Sequence, residues 1–117
     1  MATKKATDLK PVTLTNQDGS KLTLTFNRDM VLRMEDEGYP SDVLADMMDT
    51  KPNKGSVILT YYALLLHQPD STVELAKNLY FAMGAGSDFI KRLSELYGNA
   101  VETLIDGDGK NSTWTMD

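Results

Sequence analysis

The sequence predicts an α+β fold that is mostly α, in which an N-terminal β-hairpin packs on a small bundle of about five helices around a buried central helix. The central helix is predicted by a continuous apolar run from Val57 to Leu66, which only Thr60 interrupts. A helix that is apolar on every side has to be surrounded by other groups, and this run is shorter than the ~20 apolar residues that cross a bilayer. Two alternating runs near the N-terminus predict the hairpin, and apolar stripes at helical spacing predict the other helices.

Residues that typically start or end helices set the predicted limits of the central helix. Gly55 and Ser56 are predicted to start it, and Pro69 lies just past its predicted end. A buried strand would also be apolar on both faces, but the length of the run and its Leu-Leu-Leu ending favour a helix. The polar segment from Thr50 to Gly55 is therefore predicted to be a loop.

Length and composition indicate one domain. The chain has 117 residues, of which 41% are hydrophobic, and this is enough for a substantial core. We expect a globular domain over residues 12–105, with the hairpin at 12–26 and helices at 27–105, between a flexible arm at 1–11 and a flexible polar tail at 106–117. The chain contains no cysteine, which excludes disulfides and Cys-based zinc sites and is compatible with a reducing cytosol. No apolar run follows Lys4 and Lys5, so no signal peptide is expected.

The net charge of -5 argues against a nucleic-acid-binding protein, because such proteins are usually basic. The charges are also unevenly distributed. Basic residues dominate residues 1–28, namely Lys4, Lys5, Lys10, Lys21 and Arg28, whereas residues 29–49 carry Asp29, Glu35, Asp36, Glu37, Asp42, Asp46 and Asp49. This asymmetry indicates either two solvated faces or a two-ended molecule that stacks head to tail as a homo-oligomer or steers a partner of complementary charge.

The hairpin is predicted by two runs, Val12–Thr15 and Lys21–Phe26, in which apolar residues alternate with threonine. The segment between them contains Asp18-Gly19, which is typical of a tight turn. Alternation places one apolar face on the pair, formed by Val12, Leu14, Leu22, Leu24 and Phe26. Because an isolated hairpin is marginally stable in water, we expect this face to lie on the helices.

The two helices after the hairpin are short. Asn27 is a plausible N-cap for the first helix, which we expect to run to about Glu37, and Gly38 is predicted to end it. Ser41 is predicted to cap the second helix, whose apolar stripe consists of Val43, Leu44, Met47 and Met48.

The last two helices follow the central one. Ser71 or Thr72 is predicted to start the fourth helix, and Gly84-Ala-Gly86 to stop it. Its stripe is Val73, Ala76, Leu79, Tyr80 and Met83. Ser87 is predicted to cap the fifth helix, whose stripe is Phe89, Leu93, Leu96, Tyr97, Ala100 and Leu104, widened by Ile90 and Val101.

The residues offer little catalytic chemistry. His67 is the single histidine, so Ser-His-Asp triads and multi-His metal sites are unavailable, and we expect its ring to interact with carbonyls at the end of the central helix. The segment that begins at Asp106 resembles a calcium loop, but Asn111 stands at the glycine position and no second helix follows. We therefore expect no enzyme, no cofactor and no bound metal.

Methionine provides the one candidate binding surface. Met30 and Met34 fall on the first predicted helix, and Met47 and Met48 fall on the second. Methionine fills irregular cores, but it also forms adaptable surfaces that bind partners. Most of these methionines are expected to be core residues, but two short helices cannot cover all four completely, so Met30, Met34, Met47 and Met48 are the candidate residues for binding a protein partner.

The order and spacing of these features resemble the tail assembly chaperones of long-tailed, siphovirus-type bacteriophages of Gram-positive hosts. The resemblance covers the chain from about Val12 to Ile105. The matching segments are Leu24-Thr-Phe-Asn-Arg28, Met34-Glu-Asp-Glu-Gly-Tyr39, Tyr61-Tyr-Ala-Leu-Leu-Leu-His67, Leu79-Tyr-Phe-Ala-Met-Gly84 and Phe89-Ile-Lys-Arg-Leu93 followed by Glu95-Leu-Tyr97.

The resemblance implies a non-virion protein of the host cytoplasm that coats the tape measure protein and recruits tail tube subunits. It implies no catalytic residues, no nucleic-acid partner and no membrane. In many such phages a programmed frameshift near the end of the gene gives a longer second product, and Gly109–Asn111 could overlie such a site. Two alternatives stay open: a structural head-tail completion protein of the virion, and a small phage regulatory protein that binds a host factor.

Overall fold

A computed structural model describes residues 10–84 and 88–106 of the chain. They form a two-stranded antiparallel hairpin followed by five helices, which confirms the predicted α+β, mostly α fold. The elements are β1 (Val12–Thr15), β2 (Lys21–Leu24), α1 (Arg28–Asp36), α2 (Ser41–Thr50), α3 (Pro52–Leu65), α4 (Val73–Met83) and α5 (Asp88–Asp106). The predicted tail from residue 107, most of the predicted arm and the predicted cap at Ser87 lie outside the described residues, so the predicted division of the chain stays a prediction.

The hairpin forms as predicted. β1 pairs with β2 from Val12 opposite Leu24 to Thr15 opposite Lys21. Gly19 in the turn has a φ of +88°, a conformation that glycine adopts without strain. The apolar side of the hairpin faces the core, where the buried residues are Val12, Leu24 and Phe26.

Both ends of α1 agree with the prediction, but the start of α2 does not. Asn27 Oδ1 accepts a hydrogen bond from the Met30 amide at 2.9 Å, and Gly38 follows the helix with a φ of +100°. Ser41, predicted to be the cap of the second helix, is the first residue of α2, and the capping position is Pro40, which makes no side-chain cap bond. The ring of Pro40 fixes φ and supplies the extended residue before the helix.

The central helix α3 begins earlier than predicted. Its first residue is Pro52, and residues 52–55, predicted to be loop, form its first turn. Proline is favourable at the first helical position because the amide it lacks would have no partner there. From Gly55 to Leu65 every residue of α3 is buried except Tyr61, which is half-buried.

Gln68 closes the carboxyl end of α3 and binds it to the hairpin. Its Nε2 donates to the carbonyl oxygens of Leu64 and Thr23, both at 2.8 Å. Its Oε1 accepts from the Thr23 amide at 2.9 Å. His67, predicted to interact with carbonyls there, is exposed, and Gln68 holds the Leu64 carbonyl instead.

The helices α4 and α5 follow the predicted pattern in outline. Thr72 caps α4 by accepting from the Leu75 amide at 3.0 Å, and Gly84 ends α4 with a φ of +83°. α5 is the longest helix, with 19 residues. Among residues 88–102 the buried side chains of α5 are Phe89, Leu93, Leu96 and Ala100, all of the predicted stripe. The side chain of Leu104, also predicted for this stripe, lies outside the described part of the chain.

α3 lies at the centre of the molecule. It packs against α2, α4, α5 and β2, while α1 packs mainly against α5 and closes the other side of the core. The buried hydroxyl of Thr60, in the apolar run of α3, donates to the Ser56 carbonyl at 2.8 Å. Within the described residues, every buried side-chain nitrogen or oxygen has a hydrogen-bond partner, as is usual for the core of a folded protein.

Candidate partner-binding surface

Two of the four methionines predicted to bind a partner belong to the core. Met30 is 7% exposed and Met34 is fully buried, so the prediction that they form a binding surface is wrong for this fold. The reason is that α1 has a single apolar stripe, formed by these two residues and Val31, and packing on the core occupies that stripe.

The other two methionines are partly exposed. Met47 packs against the edge of the core, and Met48 lies where α2 crosses α3. A β-carbon added to Gly55 would come within 2.8 Å of Met48 Sδ and 3.1 Å of the Met48 amide nitrogen. Because both methionines are half-buried in this crossing, they offer a partner only part of their side chains.

The larger exposed apolar surface lies on α4. Residues four apart form ridges along a helix, and the buried ridge of α4 consists of Ala76 and Tyr80. Tyr80 fixes this ridge on the first turn of α3, because its hydroxyl donates to Asn53 Oδ1 at 2.9 Å. The helix rests on α3 along this ridge, and half-buried Leu79 beside it also packs against the core.

Two further ridges flank the buried one, and most of their side chains are exposed, with Leu79 half-buried. The first runs through Val73, Lys77 and Phe81, and the second through Leu75, Leu79 and Met83. Phe81 is 60% exposed, Val73 48%, Leu75 39% and Met83 36%. We call these two rows the α4 ridges. The outermost row, Glu74, Asn78 and Ala82, separates them.

A polar cluster closes the opposite side of α3. The Tyr62 hydroxyl donates to Glu37 Oε1 at 2.5 Å, and Arg33 Nε donates to Glu37 Oε2 at 2.9 Å. The hydrogen bond from Tyr62, followed by that from Arg33, lowers the pKa of Glu37. Burial, followed by the bond to Glu37, raises the pKa of Tyr62. The cluster fixes the end of α1 on α3.

Within residues 10–84 and 88–106, no group of three histidine or acidic side chains could hold a metal ion. No helix in the described part of the chain is long and apolar enough to cross a membrane. The α4 ridges are thus the most extensive candidate surface that the structure offers.

Comparison with known proteins identifies the family. One family model matches the chain over residues 1–117, and its description is a domain of unknown function, DUF5055. The chain belongs to the DUF5055 family. No curated protein and no solved structure matches the chain.

Two residues of the α4 ridges in this DUF5055 chain, Leu75 and Phe81, are not part of the apolar stripe that the sequence predicts, because they fall on either side of it. The sequence does contain a signal for them, because α4 carries apolar residues on both flanks of its predicted stripe. One line of contact cannot bury that many apolar side chains. Val73 and Met83 were predicted to be part of the buried stripe, and the structure shows them exposed.

Proposed function

We propose that this DUF5055 chain is a bacteriophage tail assembly chaperone that binds and solubilises the tape measure protein and helps recruit tail tube subunits during tail morphogenesis. It acts in the host cytoplasm without catalysis or a cofactor and does not enter the mature virion. The resemblance of the segments between Val12 and Ile105 to such chaperones supports this proposal, as does the helical fold in which those segments stand.

The observation that carries the proposal is the exposure of the α4 ridges. A tape measure protein is long and helical and carries apolar stripes that would aggregate if left uncovered. An apolar stripe of one helix packs well beside another helix that presents an apolar row. Val73 and Phe81 on one ridge, and Leu75 and Met83 on the other, present two such rows.

The size of each contact suits a displaceable chaperone. One ridge of α4 is short, since the helix has 11 residues, so a single copy binds its partner weakly. Many copies along one tape measure protein would cover it collectively, while each copy stays exchangeable for a tube subunit.

Co-expression with the tape measure protein of the same phage tests the proposal. We expect the unmodified chain to keep that partner in the soluble fraction and to co-purify with it in many copies. If the partner stays insoluble, the chaperone assignment is wrong.

Charge substitutions on α4 test which surface binds. We expect Phe81→Lys and Leu75→Lys to keep the parent's melting temperature within a few degrees and to lose the partner, because both side chains are exposed and apolar. Asn78→Lys is the matched control, since it adds the same charge to the outermost row of the same helix and should retain the partner. If Asn78→Lys loses the partner equally, the added charge and not the apolar ridge is responsible.

Analysis of purified virions separates the proposal from its structural alternative. We expect mass spectrometry of mature particles to detect no copies of the chain. Stoichiometric copies in the particle would identify a head-tail completion protein instead.

A further inference from the structure

α2 is held in the fold by fewer buried side chains than any other helix. Leu44 is the single buried residue among its ten, whereas α1 buries three residues of nine. Met47 and Met48 are half-buried, and the remaining side chains of α2 are exposed. A segment with few buried apolar contacts opens at a lower free energy than the rest of its domain.

Polar contacts do not compensate for this low burial. The end of α1 and the middle of α4 are each tied to α3 by a side-chain hydrogen bond, from Tyr62 to Glu37 and from Tyr80 to Asn53. In the described part of the chain, no hydrogen bond or ion pair joins Ser41–Thr50 to another helix or to the hairpin. α2 is therefore held mainly by the apolar contacts of three side chains.

The sequence of α2 does not stabilise an isolated helix either. Pro40 makes no side-chain cap bond, and the last turn of α2 contains no basic residue. Asp42 and Asp46 are four residues apart and repel each other, and Asp49 stands near the carboxyl end, where the helix dipole disfavours a negative charge. Because a helix of ten residues is too short to persist alone in water, α2 unfolds once it leaves α3.

The chain on either side of α2 is fixed independently of it. The ring of Tyr39 packs on that of Tyr62, with their centroids 5.9 Å apart, and the Tyr39 amide donates to the Met34 carbonyl at 2.7 Å. After α2, the Lys51 carbonyl accepts from the Gly55 amide at 2.9 Å. Residues 40–50 can therefore leave α3 while the segments before and after them stay in place.

We propose that α2 is a flap that detaches from α3 and unfolds as a unit while the other helices and the hairpin keep their native packing. The closed form predominates, and the open form exposes Leu44, Met47 and Met48 together with the side of α3 that contains Gly55, which lies against Met48 in the closed form. This device goes beyond the proposed function, since it concerns α2 and not α4, and its test needs no phage partner.

Hydrogen exchange of the unmodified full chain at increasing urea concentrations tests the flap. We expect the amides of residues 45–50 to exchange at least about tenfold faster than those buried in α3. They should share one opening equilibrium that depends weakly on urea, because opening of α2 exposes little surface.

Two results of this experiment would contradict the proposal. If the amides of residues 45–50 share the opening free energy and the urea dependence of α3, α2 opens only when the whole domain unfolds. If protection rises steadily from both ends of α2 toward its middle, the helix frays and does not open as a unit.

A charge at the buried residue of α2 separates a flap from an ordinary core helix. We expect Leu44→Asp to stay soluble, to melt cooperatively and to keep protected amides in α3 and α5, while it loses protection at residues 45–50. The introduced carboxylate reaches water when α2 detaches. Leu65→Asp on α3 is the matched control, since its carboxylate has no such route and should leave the protein molten.

Either of two outcomes for Leu44→Asp would overturn the proposal. If this variant is as molten as Leu65→Asp, α2 cannot leave without the rest of the domain. If it keeps α2 protected, Leu44 does not hold the helix in place.

Thiol labelling gives a second readout of the opening, because the chain contains no cysteine. Leu44→Cys places a thiol at the buried position of α2, and Met34→Cys places one at a fully buried position of α1. We expect the thiol of Leu44→Cys to react with dithiobis(nitrobenzoic acid) at least about tenfold faster. Equally slow reaction of the two variants would show that α2 stays closed.

Discussion

The helices α3 and α4 are both rich in apolar residues, yet their surroundings differ. α3 is enclosed by α2, α4, α5 and β2, whereas α4 packs mainly against α3. As a result ten of the 14 residues of α3 are buried, against two of the 11 residues of α4. The burial of an apolar helix is therefore decided by how many elements reach it, and α4 keeps apolar surface available for a partner.

The largest expected effect comes from placing a charge on each helix. We expect Leu65→Asp to leave the protein molten or insoluble, because an unpaired carboxylate at a buried position costs several kcal/mol, close to the whole stability of a domain of this size. Phe81→Asp should cost only about 1–2 kcal/mol, since the exposed site leaves helix propensity, the helix dipole and the ring contact with Tyr80 to act. Thermal melts followed by circular dichroism measure both.

A cooperative melt of Leu65→Asp near that of the parent would show that α3 is accessible to water. A large destabilisation by Phe81→Asp would show that Phe81 is covered in solution. Either result would show that α3 and α4 do not differ in burial as the structure indicates.

Glycine substitutions give the next largest effect and test how closely α3 is enclosed. Alanine in place of a helical glycine stabilises by about 0.5–1 kcal/mol where space allows. Gly98 in α5 has no atom within 4 Å of an added β-carbon, whereas Gly55 in α3 would bring that carbon to 2.8 Å from Met48 Sδ. We expect Gly98→Ala to raise stability and Gly55→Ala to lower it by about 1–2 kcal/mol, because α2 would have to move.

Urea denaturation of the two alanine variants measures the difference in the free energy of unfolding. If Gly55→Ala is as stabilising as Gly98→Ala, α2 moves away easily and the enclosure of α3 is looser than the contacts indicate.

A smaller effect concerns the polar edge of α3, where Tyr62 contacts Glu37. The pKa of Glu37 is lowered in the folded state, so its contribution to stability is present above the unfolded pKa and is lost as the pH falls through the folded pKa. The pKa of Tyr62 is raised, so its contribution is present below about pH 10 and is lost as the pH rises above that value.

We expect Tyr62→Phe to flatten the pH dependence of stability in both ranges. Unfolding measured at a series of pH values tests this, with Tyr61→Phe as the control on the same helix. An unchanged profile in Tyr62→Phe would show that the bond to Glu37 does not form in solution.

Local signals in the sequence predicted much of the fold. The hairpin follows from alternation and Asp18-Gly19, α1 from the cap at Asn27, and α5 from its apolar stripe, because each of these depends on neighbouring residues. The sequence pattern places Pro52 in a loop, whereas in the structure Pro52 is the first residue of α3, because proline is also favourable at the first helical position.

The candidate surface is predicted less well. The excess of apolar residues on α4 indicates that some of them stay exposed, but Met34 and Phe81 are both apolar residues on short helices, and no local pattern shows which of the two is buried. The difference arises because α1 turns its stripe toward α5, while Phe81 lies on a flank of α4 that no described element covers. Which of these side chains is covered depends on how the helices pack together, and a local sequence pattern does not contain this.

The smallest expected effect on stability concerns Lys77, which stands between Val73 and Phe81 on one α4 ridge. Its ion pair with Glu74, at 3.7 Å, is exposed and contributes at most about 1 kcal/mol. The charge interrupts an otherwise apolar row, and such interruptions limit association of exposed apolar surfaces. We expect Lys77→Leu to melt as the parent does and to self-associate more readily in sedimentation experiments, whereas Lys77→Gln, which also breaks the ion pair, should stay as monodisperse as the parent. If Lys77→Leu causes no additional self-association, the ridge is not continuous enough to act as one apolar surface. The exposed apolar residues of α4 would then not distinguish it from the enclosed α3 as a binding helix.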